Sequence, residues 1–139
     1  MWVHRQDFCL DVHFEPVELS PYIRPHSRYS YDDLEKIFDE TDVLIVPSIW
    51  YETFGYTVLE ALSYGVPVIM SGTVGAKDIL DDGAGVVIDD ISADKIRECL
   101  ELLDSNKLSM MNNIIMENQL ILTVERMAED IKSNCYMEG

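Results

Sequence analysis

Positive charge is what this sequence has least of: 10 Lys and Arg stand against 26 Asp and Glu, giving a formal net charge of -16 over 139 residues. Such a surface repels a phosphate backbone instead of releasing its counterions, so nucleic acid and anionic lipid surfaces are excluded as expected partners. Long apolar runs are also missing. The longest, such as 43–47 and 66–70, fall far short of the roughly 20 residues that a membrane-spanning helix requires, and no integral membrane segment is expected. The opening MWVHRQDF has no basic segment leading into an apolar core and a small-residue cleavage site, which predicts a cytoplasmic chain without a secretory signal. Cysteine is sparse. Cys9, Cys99 and Cys135 are odd in number and widely separated, matching neither a disulfide framework nor a zinc site, and are read as reduced structural thiols. His4, His13 and His26 lack metal-ligand spacing, and the pairs Asp81-Asp82 and Asp89-Asp90 read as solvated turns, so no metal is expected. The GxxxxGKS/T and GxGxxG phosphate loops, HExxH and GxSxG are all absent, as are internal repeats and low-complexity segments.

What is present is an ordinary apolar fraction, 47%, enough for one domain over 1–139. Residues 8–13 have the pattern of a short strand, and the stretch 15–30, with Pro16, Pro21 and Pro25, that of an irregular surface loop. Ser30 is placed to cap a helix over 31–40, where Leu34, Ile37 and Phe38 recur at helical spacing. DVLIVPS and VPVIMS are continuous apolar runs, the mark of strands covered on both faces in a parallel sheet. Between them, helical spacing from Gly55 to about Tyr64 sets Val58, Leu59 and Leu62 on one face and Thr57, Glu60 and Tyr64 on the other, with Gly65 placed to end it. A short helix in VGAKDIL, a strand in GVVID, a Ser92-capped helix to about Leu103 and one or two terminal helices complete the order. The alternation predicts a doubly wound α/β layer whose ligands sit beyond the carboxyl ends of its strands. The terminal segment carries Met110, Met111, Ile114, Ile115, Leu120 and Ile121, more apolar surface than one small sheet obviously covers. Self-association through exposed C-terminal helices is therefore expected.

The chemistry concentrates in PSIWYETFGYTVLEALSYGVPVIMS, where Glu52 and Glu60 lie on either side of a Phe-Gly turn. Gly55 lets backbone approach a ligand, and a helix starting beside it aims free N–H groups and a partial positive charge at an anion such as a phosphate. Glu60, on the polar face, can accept two hydrogen bonds from a vicinal diol such as that of ribose. Glu52, in the loop, lies where a sugar attached to that phosphate would be. A glutamate near a helix start is equally an ordinary solvated residue, and spacing alone does not separate the two readings. Trp50 and Tyr51 can pack against a sugar face or cover an edge of the core. The second strand-to-helix turn, SGTVGAKD, has Gly72 and Gly75 able to offer amides to an anion, and Lys77 within reach of a phosphate or merely solvated.

The run VLIVPSIWYETFGYTVLEALSYGVPVIMSGTVGAKDIL closely resembles the donor-binding, C-terminal domain of retaining GT-B fold glycosyltransferases of the group-1 family, its E-x7-E motif falling on Glu52 and Glu60. The likeness is specific in its central 35 residues and looser from about 30 to 132. The resemblance implies that Glu52 is the catalytic residue beside the donor sugar and that Glu60 holds the nucleotide ribose. It implies that the diphosphate meets the amides of Thr53, Phe54, Gly55 and Tyr56, with Gly75 also on the donor. The implied donor is a nucleotide-diphosphate sugar, with transfer to a glycan or glycoconjugate, retention of configuration, and no metal or other cofactor.

The chain departs from the family in three respects. No separate acceptor domain precedes this segment, and no opening strand and loop supplies an Arg and a Lys to the diphosphate. Gly75-Ala76 and Asp78 stand where the family often has Gly-Gly and Glu. The expectation is a donor domain truncated at its N-terminus, inactive by itself and completed by a missing acceptor domain or a partner chain. A binding or docking module without transfer, and a sugar-nucleotide epimerase-like enzyme, are the alternatives.

Overall fold

The run DVLIVPS becomes the strand β4, Val43–Val46, and its alternating side chains organise two cores. Leu44 joins Val68 and Met70 on one face of the sheet, and Val43 and Ile45 join Ile69 on the other. With no polar face, both sides of the strand must be covered by helices, and each side chain so buried contributes about 1.5–3 kcal/mol. The computed structural model describes residues 2–4, 9–12, 22–26, 29–80, 83–89 and 91–118, of which 2–4 and 9–12 are described as backbone.

Among the described residues six strands form one sheet. In chain order they are β1 (Trp2–His4), β2 (Cys9–Val12), β3 (Ile23–Pro25), β4, β5 (Val68–Ser71) and β6 (Gly85–Ile88), and across the sheet they run β3-β2-β1-β4-β5-β6. The β4, β5 and β6 strands are parallel, with Ile45 opposite Ile69 and Ile69 opposite Val86. Helices α1 (Leu34–Asp39) and α2 (Tyr56–Ser63) cover one face through Leu34, Phe38, Val58, Ala61 and Leu62. The helix α3 (Ala93–Glu101) covers the other through Cys99, and α4 (Ser105–Asn118) serves both, with Met111 in the second core and Ile115 in the first. This is the doubly wound α/β layer that the alternation predicts.

The helix ends follow local chemistry. Asp33 Oδ2 accepts from the Ser30 N–H at 2.8 Å and from its hydroxyl at 2.9 Å, and Ser92 Oγ accepts from the Lys95 N–H at 3.2 Å. Gly65, at φ 74°, ends α2 by a double bond pattern in which its N–H donates to Leu62 and the Val66 N–H to Ala61.

Four expectations need correction. The stretch 15–30 contains β3, a three-residue edge strand whose terminal Pro25 an edge position accommodates; residues 15–21, 27 and 28 lie outside the described residues. The β1 strand runs antiparallel to both β2 and β4, so the sheet is mixed on one side. The helix over 31–40 starts as a tight 3-10 turn, Tyr31–Asp33, and that in VGAKDIL is 3-10 over Gly75–Ile79. Lastly, the apolar side chains of α4 are left over only in part: Met111 and Ile115 are buried and Ile114 packs against the core that holds Ile115, while Met110 and Met116 are exposed. Leu120, Ile121 and Cys135 lie outside the described residues.

Candidate functional site

Two loops leave the carboxyl ends of the parallel strands β4 and β5 and are fastened to each other. The Ser48 carbonyl accepts from Ser71 Oγ and from Thr73 Oγ1, both at 2.7 Å, and the two hydroxyls lie 2.9 Å apart. Further along, the Glu52 N–H donates to the Thr73 carbonyl at 3.1 Å, and the Gly75 N–H donates to the Glu52 carbonyl at 2.9 Å. Glu52 is thus gripped by its backbone on both sides, opposite Val74, while its side chain stays exposed. The chemistry of a loop with a fixed backbone and a free carboxylate is that of a positioned acceptor.

The fastening depends on Gly75. A Cβ there would overlap the Thr53 carbonyl oxygen and lie 2.9 Å from the Thr53 carbonyl carbon and 3.0 Å from the Glu52 carbonyl oxygen. Gly55 is required for a different reason. At φ 71° and ψ 62° it sits in the left-handed region, and a Cβ would meet Val74 Cγ1 at 2.6 Å. From that turn α2 begins, with its first bond from the Val58 N–H to the Gly55 carbonyl at 2.9 Å. The amides of Tyr56 and Thr57 precede that bond and lack a partner within the helix, in the positive end of its dipole. Thr53, Phe54 and Tyr56 are exposed around them, the two rings stacked with centroids 6.0 Å apart.

Glu60 lies further along α2, half-buried, and burial raises its carboxyl above the ordinary value. Beside it is Tyr29, whose phenol is raised by burial first and then by the Glu60 charge, and lowered by a hydrogen bond with Thr57. Thr57 and Glu60 are three residues apart and share a helix face. Tyr29 escaped the sequence reading because it closes a proline-rich stretch taken as loop, and nothing local marks it.

The second glycine turn acts otherwise than its sequence suggests. The Gly72 N–H donates to the Ile88 carbonyl at 3.0 Å and that of Gly75 to Glu52, so neither amide is open to an anion; strand continuation and loop closure take both. Lys77 Nζ donates to the Gly72 carbonyl at 2.6 Å and is exposed. Trp50 and Tyr51, 75% and 92% exposed, cover no edge of the core. Glu52, Thr53, Gly55 and Gly75 are therefore brought together by the paired loops, and Glu60 stands with Thr57 and Tyr29 on the flank of α2.

A helix opening on a glycine turn at the carboxyl ends of parallel strands is how doubly wound domains present a ligand site. Among such domains, this chain belongs to the glycosyl transferases group 1 family, whose model matches residues 8–120. It is 36% identical over 81 residues to an uncharacterized 41.2 kDa protein in the cps region of Klebsiella pneumoniae, covering 58% of this chain and 22% of that one. It is 37% identical over 65 residues to O-antigen chain mannosyltransferase B of Escherichia coli, covering 47% of this chain and 16% of that one. Its fold is that of HepE from Anabaena, solved in complex with UDP-glucose, with a TM-score of 0.61 at 18% identity over 83% of this chain and 33% of that one. The chain thus spans about a fifth of these curated relatives and a third of the solved one. The resemblance to GT-B glycosyltransferases holds for family and fold. Among the described residues no helix is long and apolar enough to cross a membrane.

Proposed function

We propose that this chain is the donor-binding part of a glycosyltransferase that moves a sugar from a nucleotide-diphosphate sugar to a glycan or glycoconjugate, with retention of configuration and without a bound metal. The observation that carries this reading is the start of α2, where a left-handed glycine exposes helix amides between two glutamates held at different depths. A helix N-terminus carries about half a positive charge and binds phosphate through its N–H groups. The diphosphate is assigned to the amides of the Thr53–Tyr56 turn. Glu60 then accepts from the two ribose hydroxyls, and Glu52, on the loop side, from the donor sugar.

A net charge of -16 works against an anionic donor, so the amides need cationic help beyond this segment. The acceptor and that cationic clamp are assigned to a separate domain or partner chain, and the donor domain alone to an inactive state, since transfer depends on holding both reactants in one cleft. A cytoplasmic site of action is part of this proposal.

Glu52→Ala, made in a full-length transferase that carries this domain, tests the division of labour. Turnover should fall about 10- to 100-fold, the effect of losing one or two hydrogen bonds to a charged acceptor, while affinity for the bare nucleoside diphosphate stays at the parent value. Steady-state kinetics and calorimetry on the same preparation check it. Unchanged turnover, or an equal loss in both quantities, removes Glu52 from the sugar.

A further inference from the structure

The segment 48–52 carries Glu52 away from β4, and its central side chains give it no support: Ile49, Trp50 and Tyr51 are 73%, 75% and 92% exposed. A loop whose side chains do not pack depends for its shape on the hydrogen bonds of its backbone. Thr73 supplies them at both ends. Its Oγ1 donates to the Ser48 carbonyl at 2.7 Å, where the loop leaves β4, and its own carbonyl accepts from the Glu52 N–H at 3.1 Å. Between these two points Ser48 Oγ donates to the Trp50 carbonyl at 3.0 Å and closes the bend. We propose that Thr73 is a positioning residue for Glu52: one half-buried threonine pins both ends of a loop that packing does not hold, and so fixes the carboxylate against the donor sugar.

This role rests on the assignment of Glu52 to the donor sugar and adds to it a residue of the second loop, outside the E-x7-E stretch. Ser71 shares part of the work, since its Oγ donates to the same Ser48 carbonyl at 2.7 Å. Its backbone carbonyl, however, accepts from the Val74 N–H within its own loop, at 3.1 Å. Among the described residues only Thr73 bonds to both Ser48 and Glu52. The size of the effect follows from what remains when its hydroxyl is lost. Ser71 still reaches Ser48, and the Gly75 N–H still holds the Glu52 carbonyl at 2.9 Å, so the loop loosens without parting from its neighbour. A positioned carboxylate that wanders spends less time where the reacting sugar needs it.

Trp50 reports on the loop directly. The chain has two tryptophans, so in a Trp2→Phe background Trp50 is the one fluorophore of its kind. Its fluorescence anisotropy should decay faster in Thr73→Val, or in Thr73→Ala should the valine variant fold poorly, and keep the parent rate in Thr73→Ser, which retains the hydroxyl. In a full-length transferase carrying this domain, with UDP-glucose and GDP-mannose as donors, turnover should fall about three- to tenfold in Thr73→Val and Thr73→Ala. Calorimetric affinity for UDP and GDP should stay at the parent value, and adding Thr73→Val to Glu52→Ala should cost nothing further. A purely structural role lowers the melting temperature and leaves both the Trp50 decay and the turnover per folded molecule unchanged, which would overturn the proposal. A loss that adds in full to that of Glu52→Ala would overturn it too. If Glu52→Ala slows turnover and neither Thr73 variant does, the inference fails alone; if Glu52→Ala leaves turnover intact, the Glu52 assignment fails with it.

Discussion

Glu60→Gln should make the protein more stable and a poorer binder of nucleoside diphosphate at the same time. Burial raises the Glu60 carboxyl, so the native state holds its proton more firmly than the unfolded chain does. The sign follows from that linkage. At pH well below the ordinary glutamate range both states are protonated and there is no penalty; as pH rises through the raised native value, the native state must carry a half-buried charge and loses stability. Glutamine has the same shape without the charge. Near neutral pH the variant should melt higher, on the order of 1–3 °C, and the difference should close as pH is lowered through the Glu60 titration. Salt distinguishes this from general relief of an acidic surface, since screening suppresses long-range repulsion and leaves a local burial effect. Affinity moves the other way. Hydrogen bonds to a charged group are worth about 1.5–3 kcal/mol, so the nucleoside diphosphate should bind roughly 10- to 100-fold more weakly. In the parent protein affinity should fall as pH drops through the same titration, because the diol prefers the carboxylate. Thermal melts and calorimetry across pH check both halves.

Gly75→Ala should be the most damaging single methyl group in the site. The added carbon overlaps the Thr53 carbonyl, which is backbone and cannot turn aside. To admit it the loops must part, straining or breaking the bonds from Gly75 to Glu52 and from Glu52 to Thr73. Overpacking of about 1–3 kcal/mol together with two backbone bonds near 1 kcal/mol each gives an expected loss of about 3–5 kcal/mol. In a full-length transferase carrying this domain, catalysis should suffer beyond stability, since a displacement near 1 Å in a positioned group can cost about 100-fold in rate. Gly72→Ala is the control. Its Cβ would approach Asp89 Oδ1 at 2.9 Å, an exposed side-chain end that can swing away, so denaturant melts should show a much smaller loss. Equal losses in the two variants would mean that loop closure at Gly75 is not what shapes the site.

The parts legible in the sequence are those whose cause is local. Apolar runs at 43–46 and 68–71 announce strands covered on both faces, because every side chain in them must find a core. Ser30, Ser92 and Gly65 mark helix ends, because a cap acts within a few residues of itself. The Phe-Gly turn is readable for the same reason. Long-range causes left no such mark. The strand β3 is three residues with a proline, and it forms because β2 offers an edge to it. Gly75 reads as a donor of an amide, yet its requirement comes from Thr53, 22 positions earlier in the chain. Met111 and Ile115 read as surplus, and they are core because α4 reaches both faces of the sheet.

The central claim is that the glycine turn and α2 receive a nucleoside diphosphate, with ribose on Glu60. The most direct measurement is a calorimetric titration of the protein with UDP, GDP, their 2′-deoxy forms and the free nucleosides. The account predicts saturable binding of at least one diphosphate at one site, weakening of that diphosphate when its 2′-hydroxyl is removed, and loss of that discrimination in Glu60→Gln. Binding of no diphosphate, or binding indifferent to both the ribose hydroxyl and Glu60, would contradict it.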